Sequence, residues 1–304
     1  MRNITVLCTT ASFMAKNYPD QLMLILNPYK RKLYEEEVIE LVKRHQPDAI
    51  IAGLEPITRK VMTEATRLKI ISRCGVGLDN VDLVTAEKMG IKVYNTPDAP
   101  VQPVAELAIT MIFALARNLI KLNSNTKNGT WEKAPSALIS ELTVGIIGCG
   151  RIGTRVASIL KETGCNLLGC DIQDAKSEYY QTVIFDDLVK QSDIISLHIP
   201  LTPQNYHIIG RNEIVKMKPG AIIINTSRGG LIDEAALYEF LKNGHLGGAG
   251  LDVFEEEPYN GPLCGLDNVI LTPHSGSSAG GSRLRMEEES VNNLIKALKE
   301  LSMI

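Results

Sequence analysis

Short apolar runs alternate with segments of helical periodicity along almost the whole chain, and this alternation limits the possible folds more than any other feature. Four runs of strand length lie in the first third, at residues 4–8, 49–54, 69–74 and 91–95. Helices are predicted between them at 34–45, 58–65 and 81–89. Strands that alternate with helices in this way form parallel sheets, so the first hundred residues predict a compact α/β domain.

A proline-rich stretch, "NTPDAPVQPVAE" (95–106), interrupts this alternation. Its three prolines disfavour regular structure and predict a stiff crossover. A long apolar helix is predicted to follow at about 104–122, and then a loop, "KNGTWEKAP", that holds the single tryptophan. We interpret Trp131 as a packing anchor for this loop.

A second series of strands and helices begins at Leu142. Its strands are predicted at 143–147, 166–171, 193–198, 221–226, 248–253 and 269–272. Six strands with helices between them match a complete doubly wound domain. The last segment, 283–301, is predicted to be a helix.

The stretch "VGIIGCGRIGTRVA" (144–157) opens the second series and fits the pattern G-x-G-x-x-G with Gly148, Gly150 and Gly153. The glycines allow a tight turn, a close approach of the backbone to a pyrophosphate, and close packing of helix on strand. The helix then starts with Arg151 and Ile152, and its free N–H groups favour phosphate. The sequence therefore predicts a dinucleotide site.

An acidic residue, Asp171, follows the next predicted strand about 20 positions later. A carboxylate there accepts hydrogen bonds from the adenosine ribose hydroxyls and repels a 2′-phosphate. Ile172 and Gln173 come next, and neither is basic. The cofactor is therefore predicted to be NAD rather than NADP.

Three charged or titratable residues come just after the fourth, fifth and sixth strands of the second series: Arg228, Glu257 and His274. In an open α/β sheet, ligands bind at the carboxyl ends of the strands. Each residue alone has a simpler explanation, as a surface cation, part of an acidic loop, or a loop histidine. Their convergence on one edge instead predicts a catalytic site.

Seven segments of the chain carry a resemblance to a known family. They are "RCGVGLDNVDL" (73–83), "NTPDAPVQPVAELAI" (95–109), "GIIGCGRIG" (145–153), "SLHIPLT" (196–202), "NTSRGGLIDEAAL" (225–237), "GLDVFEEEP" (250–258) and "LTPH" (271–274). Over essentially its whole length the chain resembles the D-isomer-specific 2-hydroxyacid dehydrogenases. The first two segments are most similar to 3-phosphoglycerate dehydrogenases.

This resemblance implies two doubly wound parallel-sheet domains, with a Rossmann NAD-binding domain inserted into a flavodoxin-like substrate domain. The NAD-binding domain is expected at 100–274, and the discontinuous substrate domain at 1–99 and 275–304. The resemblance also implies a homodimer formed through about 100–142. Because the chain ends with the last helix, we expect a short form without a C-terminal regulatory domain.

The resemblance also assigns roles to the three converging residues. His274 would be the base for hydroxyl oxidation and the acid for keto reduction, and a histidine's ordinary pKa of about 6.5 suits both directions. Glu257 would hydrogen-bond the far ring nitrogen and fix the tautomer. Arg228 would bind the substrate carboxylate.

Further positions match cofactor or substrate contacts of the family. Contacts to the cofactor are expected from Thr226, Asp252 and His198, the last of which we interpret as a structural histidine near the ribose rather than a catalyst. The substrate-binding positions are Arg73, Gly75, Val76, Gly77 and Asn95. The N–H groups of Val76 and Gly77 would bind the carboxylate, and Arg73 matches a position suited to a substrate phosphate.

The resemblance implies an NAD-dependent oxidoreductase that moves a hydride between nicotinamide and a small D-2-hydroxyacid. 3-Phosphoglycerate, a substrate of serine biosynthesis, is the first candidate. A glyoxylate or hydroxypyruvate reductase and a D-lactate-type enzyme remain alternatives, as does an NAD-sensing corepressor-like protein. Formate dehydrogenases of the family have Gln at the position of Glu257, which argues against that activity. After His274 the chain reads "SGSSAGGS", a departure from the family's usual pattern.

Composition narrows the partners and the compartment. The formal net charge of −3 argues against a general nucleic-acid or membrane-surface binder. We find no apolar run of transmembrane length and no signal peptide. None of the six cysteines forms a C-x-x-C pair, so neither a metal site nor a disulfide framework is expected. The sequence thus predicts a cytoplasmic enzyme with a small-molecule substrate.

Overall fold

The computed structural model of the protein describes residues 3–173 and 177–304. The chain divides into two compact units, Met1–Pro100 with Ser277–Ile304, and Val101–Gly276. The first boundary lies one residue from the expected 99, and the second lies two residues from the expected 274.

The first unit contains a five-stranded, wholly parallel sheet. Its strands are β1 (Ile4–Cys8), β2 (Leu22–Leu26), β3 (Ala49–Ala52), β4 (Ile70–Arg73) and β5 (Lys92–Tyr94). The order β2-β1-β3-β4-β5 is the flavodoxin-like one, which confirms the predicted class. The helices of this part are α1 (Glu35–His45), α2 (Arg59–Glu64) and α3 (Leu83–Lys88).

Strand β2, which pairs with β1 in the register Ile4↔Leu22, was not predicted from the sequence. It is an edge strand, and only the first of its five residues is buried. The connection from β1 to β2 contains no helix between residues 9 and 21, so the alternation that marks the other strands is absent there.

The second unit contains a seven-stranded parallel sheet in the order β12-β11-β10-β9-β6-β7-β8. Its strands are β6 (Thr143–Ile147), β7 (Asn166–Cys170), β8 (Gln181–Thr182), β9 (Ile194–Leu197), β10 (Ala221–Asn225), β11 (Leu246–Leu251) and β12 (Val269–Leu271). Its helices are α4 (Val101–Ala116), α5 (Leu119–Lys127), α6 (Arg151–Lys161), α7 (Phe185–Gln191), α8 (Arg211–Lys216) and α9 (Glu234–Lys242). The six predicted strands are present and doubly wound, and only the two exposed residues of β8 were missed.

The prediction for residues 95–122 is wrong in two respects. Helix α4 begins at Val101 and includes Pro103, because a proline in the first turn removes an N–H that has no helical partner. The single long helix is two helices, since Asn118 takes a left-handed conformation (φ 49°) before α5. Within α4, Ala105, Ala108 and Ile112 are buried in the core of the second unit.

Trp131 is 90% exposed, so its interpretation as a packing anchor within this chain is wrong. Neither a helix nor a strand covers residues 129–138, and Leu138 in the same loop is also exposed.

Among the described residues, no helix taken singly has the length and hydrophobicity to span a membrane. Only α4 and α5 taken together, bent by 61°, meet that test by length and composition.

The last helix, α10 (Gly280–Glu300), completes the core of the first unit. Its side chains Met286, Leu294 and Leu298 share a buried cluster with Val6 and Ile51 of the sheet. This packing explains why the C-terminal segment belongs to the same unit as the N-terminal hundred residues.

A buried carboxylate on α10 also holds the connection from β1 to β2. Glu287 is 0% exposed and accepts the backbone N–H groups of Met14 and Ala15. Its other oxygen accepts Nε of Arg283 at 2.9 Å. A buried charge is stable only when paired and hydrogen-bonded in this way.

Replacing Glu287 by Ala is therefore expected to lower the free energy of unfolding by about 3 kcal/mol, because two N–H groups and a guanidinium lose their acceptor. Urea unfolding followed by circular dichroism measures the change. Glu288→Ala, on the partly exposed side of the same helix, is the control. Equal stability of the two variants would contradict the assignment.

Candidate active site

The glycine-rich turn runs from the end of β6 into α6. Gly148 has a left-handed φ of +93°, and a Cβ there would lie 2.5 Å from the carbonyl oxygen of His198. At Gly153 a Cβ would lie 1.9 Å from the carbonyl oxygen of Gly148, so helix and turn pack without room for a side chain. Gly150, the residue before α6, has nothing within 4 Å of its Cβ position. The backbone just before the first helical turn, which starts with Arg151 and Ile152, thus has open space beside it, as a close approach to a pyrophosphate requires.

Asp171 follows β7 at the same edge of the sheet. Its Oδ2 accepts the backbone N–H of Cys149 at 2.6 Å, and its Oδ1 accepts that of Gln173 at 3.1 Å. The carboxylate is therefore tied to the glycine-rich turn, while Ile172 is fully exposed.

Two polar atoms at the ends of β9 and β10 are buried without a hydrogen-bond partner among the described residues: His198 Nδ1 and Thr226 Oγ1. Buried polar atoms are nearly always bonded in a complete structure, so both fit a partner supplied by a bound cofactor. Burial also lowers the pKa of His198 to about 4, and its Nε2 lies 2.9 Å from Ser196 Oγ. An imidazole with so low a pKa is a weak base, which argues against a part for His198 in proton transfer.

Asp252 follows β11 and organises the loop after β12. The side chain is 1% exposed. Its Oδ1 accepts the hydroxyl of Thr272 and the backbone N–H of Ser275, and its Oδ2 accepts the N–H of Gly276 at 2.8 Å. The carbonyl oxygen of Asp252 also accepts the N–H of His274 at 2.8 Å. The loop that carries His274 is thus held from both sides by one residue.

His274 and Glu257 form a direct pair, with Nδ1 2.9 Å from Oε2 and 3.1 Å from Oε1. Because an ionised carboxylate only accepts hydrogen bonds, Nδ1 is assigned the proton and Nε2 is left as the acceptor of the neutral ring. The N–H of Phe254 donates to Oε1 of Glu257 at 3.2 Å and so supports the carboxylate.

Arg228 comes directly after the turn that ends β10. Asn225 forms this turn, because its amide donates to the carbonyl oxygen of Arg228 at 2.8 Å and accepts the N–H of Ser227 at 3.0 Å. A Cβ on Gly229 would lie 1.9 Å from the carbonyl carbon of Phe254, so the two segments touch backbone to backbone. The structure therefore brings the segments of all three predicted catalytic residues to one edge of the second sheet.

The predicted substrate loop follows β4 in the first unit. Gly75 has a positive φ of 144°, and its N–H donates to Thr96 Oγ1 at 2.7 Å. Asn95 donates from Nδ2 to the carbonyl oxygen of Val76 at 2.6 Å, next to Gly77. Asn95 and Thr96, the two residues after β5, thus both bond the backbone of the predicted substrate loop.

Arg73 is 6% exposed, and its Nη1 donates to the carbonyl oxygen of Cys74 at 2.8 Å. The guanidinium also fills the space over Gly75, where a Cβ would lie 1.2 Å from Nη1. Its position thus gives Arg73 a part in supporting the loop.

The supporting residues Asn225 and Thr96 were not predicted from the sequence. Asn225 is the last residue of β10, Thr96 is the second residue after β5, and each is polar and stands next to a residue that was chosen. That position is the signal that would have found them.

The six cysteines are free thiols. Burial raises the pKa of Cys74 to about 11 and that of Cys8 still further. Among the described residues, no group of three or more His, Cys, Asp or Glu side chains is placed to hold a metal ion.

A doubly wound sheet with a glycine-rich turn, a carboxylate after β7 and an Arg, Glu and His at one edge is typical of the class of nicotinamide-dependent oxidoreductases. Comparison with known proteins then defines the family. A model described as "D-isomer specific 2-hydroxyacid dehydrogenase, NAD binding domain" matches residues 109–276. The chain belongs to this family, whose cofactor is NAD.

Relatives in the family carry different substrate names. The chain is 45% identical over 254 residues to the D-3-phosphoglycerate dehydrogenase of Methanocaldococcus jannaschii, covering 81% of this chain and 48% of that protein, about half its length. It is 42% identical over 257 residues to the hydroxypyruvate reductase of Thermotoga maritima, covering 82% and 84%. It is 37% identical to the glyoxylate reductase of Korarchaeum cryptofilum, covering 93% and 91%.

One solved structure is similar to this chain over nearly the full length of both proteins. D-lactate dehydrogenase from Aquifex aeolicus, in complex with NAD and lactic acid, matches with a TM-score of 0.84 at 28% identity, covering 98% of this chain and 97% of that one.

Replacing Asp171 by Ala is expected to weaken NADH binding about tenfold, because an acceptor for the ribose hydroxyls and the support of the Cys149 N–H are lost. NADPH binding should change less, since a repelling charge is removed as well. Fluorescence titration with both nucleotides measures the two dissociation constants. An unchanged ratio between them would contradict the role of Asp171 in cofactor choice.

Proposed function

We propose that the protein is an NAD-dependent oxidoreductase that interconverts a small D-2-hydroxyacid and its 2-keto acid. One observation carries this proposal: His274 is paired through Nδ1 with Glu257 at 2.9 Å, on the edge of the sheet that also carries Arg228 and the glycine-rich turn. A histidine with a fixed tautomer on the same sheet edge as an arginine suits proton transfer on a substrate that carries a carboxylate.

Each residue has a distinct part in the proposed reaction. NAD, when bound, supplies the hydride acceptor for oxidation, and NADH supplies the donor for reduction. Arg228 binds the substrate carboxylate and orients the adjacent carbon. Nε2 of His274 takes the hydroxyl proton during oxidation and returns it to the carbonyl oxygen during reduction. Glu257 accepts the Nδ1 proton of the ring and so fixes its tautomer.

The first substrate candidate is 3-phosphoglycerate, with 3-phosphohydroxypyruvate as the keto form. It is supported by the segment "RCGVGLDNVDL" and by the 45% identity to the Methanocaldococcus jannaschii protein. This substrate would place the enzyme in serine biosynthesis.

An unphosphorylated 2-keto acid, glyoxylate or hydroxypyruvate, is the second candidate. The position of Arg73 favours it, because the guanidinium is buried against its own loop and a phosphate dianion would have to compete with those contacts. The Thermotoga and Korarchaeum relatives are named hydroxypyruvate reductase and glyoxylate reductase, which also supports an unphosphorylated substrate.

His274→Ala is expected to lower kcat for keto-acid reduction at least about a thousandfold, because no other group takes over the proton transfer. NADH affinity should stay within about twofold, since the ring is assigned to the substrate. Steady-state kinetics and a fluorescence titration measure the two effects. Retained turnover would remove His274 as the acid and base.

Arg73→Ala separates the two substrate candidates. If Arg73 binds a phosphate, the variant should raise KM for 3-phosphohydroxypyruvate by about tenfold or more and leave KM for glyoxylate nearly unchanged. NADH absorbance with a panel of phosphorylated and unphosphorylated keto acids provides the comparison, with the exposed Arg59→Ala as control. An equal change for both substrates would assign Arg73 to the loop rather than to a phosphate.

We also propose that the protein forms a homodimer through the region of α4, α5 and the loop after them. Several large apolar side chains are exposed there: Phe113, Leu119, Ile120, Trp131 and Leu138. A second copy of the chain that covers this surface would remove them from water.

Light scattering after size-exclusion chromatography is expected to give twice the mass of one chain. Tryptophan emission should shift to longer wavelength on dilution, because Trp131 is the only tryptophan and would become exposed on dissociation. Trp131→Ser should raise the dimer dissociation constant about tenfold or more. A monomer at all concentrations would contradict the proposal.

A further inference from the structure

Two aromatic residues, Tyr206 and His207, lie beside the catalytic segments but have no part in the reaction described above. Their rings stack with centroids 3.9 Å apart and an angle of 20° between the planes. The loop that carries them is closed by Asn205, which accepts the N–H of Thr202 at 2.7 Å and donates to the carbonyl oxygen of Pro200 at 2.8 Å. The pair is therefore held on a well-formed loop.

Both aromatic side chains bind the carboxylate of Glu255. His207 Nε2 lies 2.9 Å from Oε1, and the Tyr206 hydroxyl donates to Oε2 at 3.1 Å. The backbone N–H of Glu255 donates in turn to Oε1 of Glu234 at 2.7 Å. Glu255 stands two residues before Glu257, so these bonds fix one end of the turn that carries the partner of His274.

The same two residues also hold the segment after Arg228. The N–H of His207 donates to the carbonyl oxygen of Gly230 at 2.8 Å. A Cβ on Gly230 would lie 3.1 Å from the Tyr206 ring, so ring and backbone are in close contact. Tyr206 and His207 thus connect the segment of Arg228 with the segment of Glu257.

The turn at residues 254–257 needs such support because neither a helix nor a strand holds it. Three carboxylates, from Glu234, Glu255 and Glu257, gather around it. Burial raises the pKa of Glu234, and the charges of Glu255 and Glu257 raise it further, while the hydrogen bond from Glu255 N–H and the nearby His207 lower it. The hydrogen bonds from Tyr206 and His207 to the Glu255 carboxylate oppose the mutual repulsion of the three carboxylates, which would otherwise open the turn.

We propose that Tyr206, His207 and Glu255 are positioning residues for the reaction, which act by holding the turn at 254–257 so that Glu257 meets His274. This inference rests on the proposed roles of Glu257 and His274. The three residues form a layer outside the reacting groups, and their removal should change the rate of proton transfer more than cofactor binding.

The first test compares His207→Ala with His207→Gln, which keeps an N–H donor, and with His245→Ala. His245 is the matched control, because its Nε2 bonds the carbonyl oxygen of Ile214 at 2.9 Å, away from the catalytic segments. His207→Ala should lower kcat about tenfold with NADH affinity within about twofold, and His207→Gln should restore most of the loss. Tyr206→Phe removes a single hydroxyl and should lower kcat about threefold. Wild-type kcat in both His207→Ala and Tyr206→Phe would overturn the proposal.

The second test repeats His207→Ala in a Glu257→Gln background. If the cluster acts through Glu257, the added substitution should lower kcat by less than about twofold, because the group to be positioned has already been changed. Independent effects that multiply would overturn the proposal. The proposed function fails separately, if Glu257→Gln and His274→Ala retain wild-type turnover. Loss of turnover in those two variants with full activity in the cluster variants rejects the cluster alone.

Discussion

The buried carboxylate of Asp252 is the interaction on which the arrangement of the site depends. It takes two backbone N–H groups and a hydroxyl from the loop after β12, and its own backbone binds the N–H of His274. His274 is held at a left-handed φ of 50°, which is unfavourable for a residue with a Cβ. A nearly inaccessible charge with several donors offsets this cost and leaves the imidazole in one orientation.

The parallel sheet explains why a few such contacts are enough to fix the geometry of the site. Strands β10, β11 and β12 are neighbours, so their carboxyl ends place Arg228, Asp252 and His274 on adjacent segments. The loops at this edge then need only a few side-chain hydrogen bonds, such as those of Asn225 and Glu255, to reach a fixed geometry. The glycine-rich turn after β6 uses the same edge, where α6 begins with its N-terminus.

Much of the fold and the location of the site could be predicted from the sequence, because both follow from local sequence pattern. Buried strands with helices between them, the spacing from Gly148 to Asp171, and polar residues after strands are all visible in one dimension. The pair formed by His274 and Glu257 was expected and is present in the structure. The contacts of Asp252 depend on the loop fold after β12, so only its location could be predicted.

The errors have physical causes that local pattern does not contain. Strand β2 lacks a preceding helix, and β8 has two exposed residues, so neither shows the alternation. Pro103 was interpreted as a breaker although a first helical turn accepts proline. Trp131 is exposed because no described segment of its own chain covers it, and such packing depends on tertiary structure rather than on local sequence.

We propose that this edge of the sheet holds NADH and a 2-keto acid so that the hydride reaches one face of the keto carbon. The most direct measurement is the fate of deuterium from NADH that carries deuterium at both nicotinamide C4 positions, during reduction of a keto-acid panel, with the product resolved by chiral chromatography and mass spectrometry. We expect deuterium at C2 of the D-hydroxyacid, and none when His274 is replaced by Ala. Binding of NADH with no labelled product from any keto acid, as for a sensor, or label in the L-isomer would contradict it.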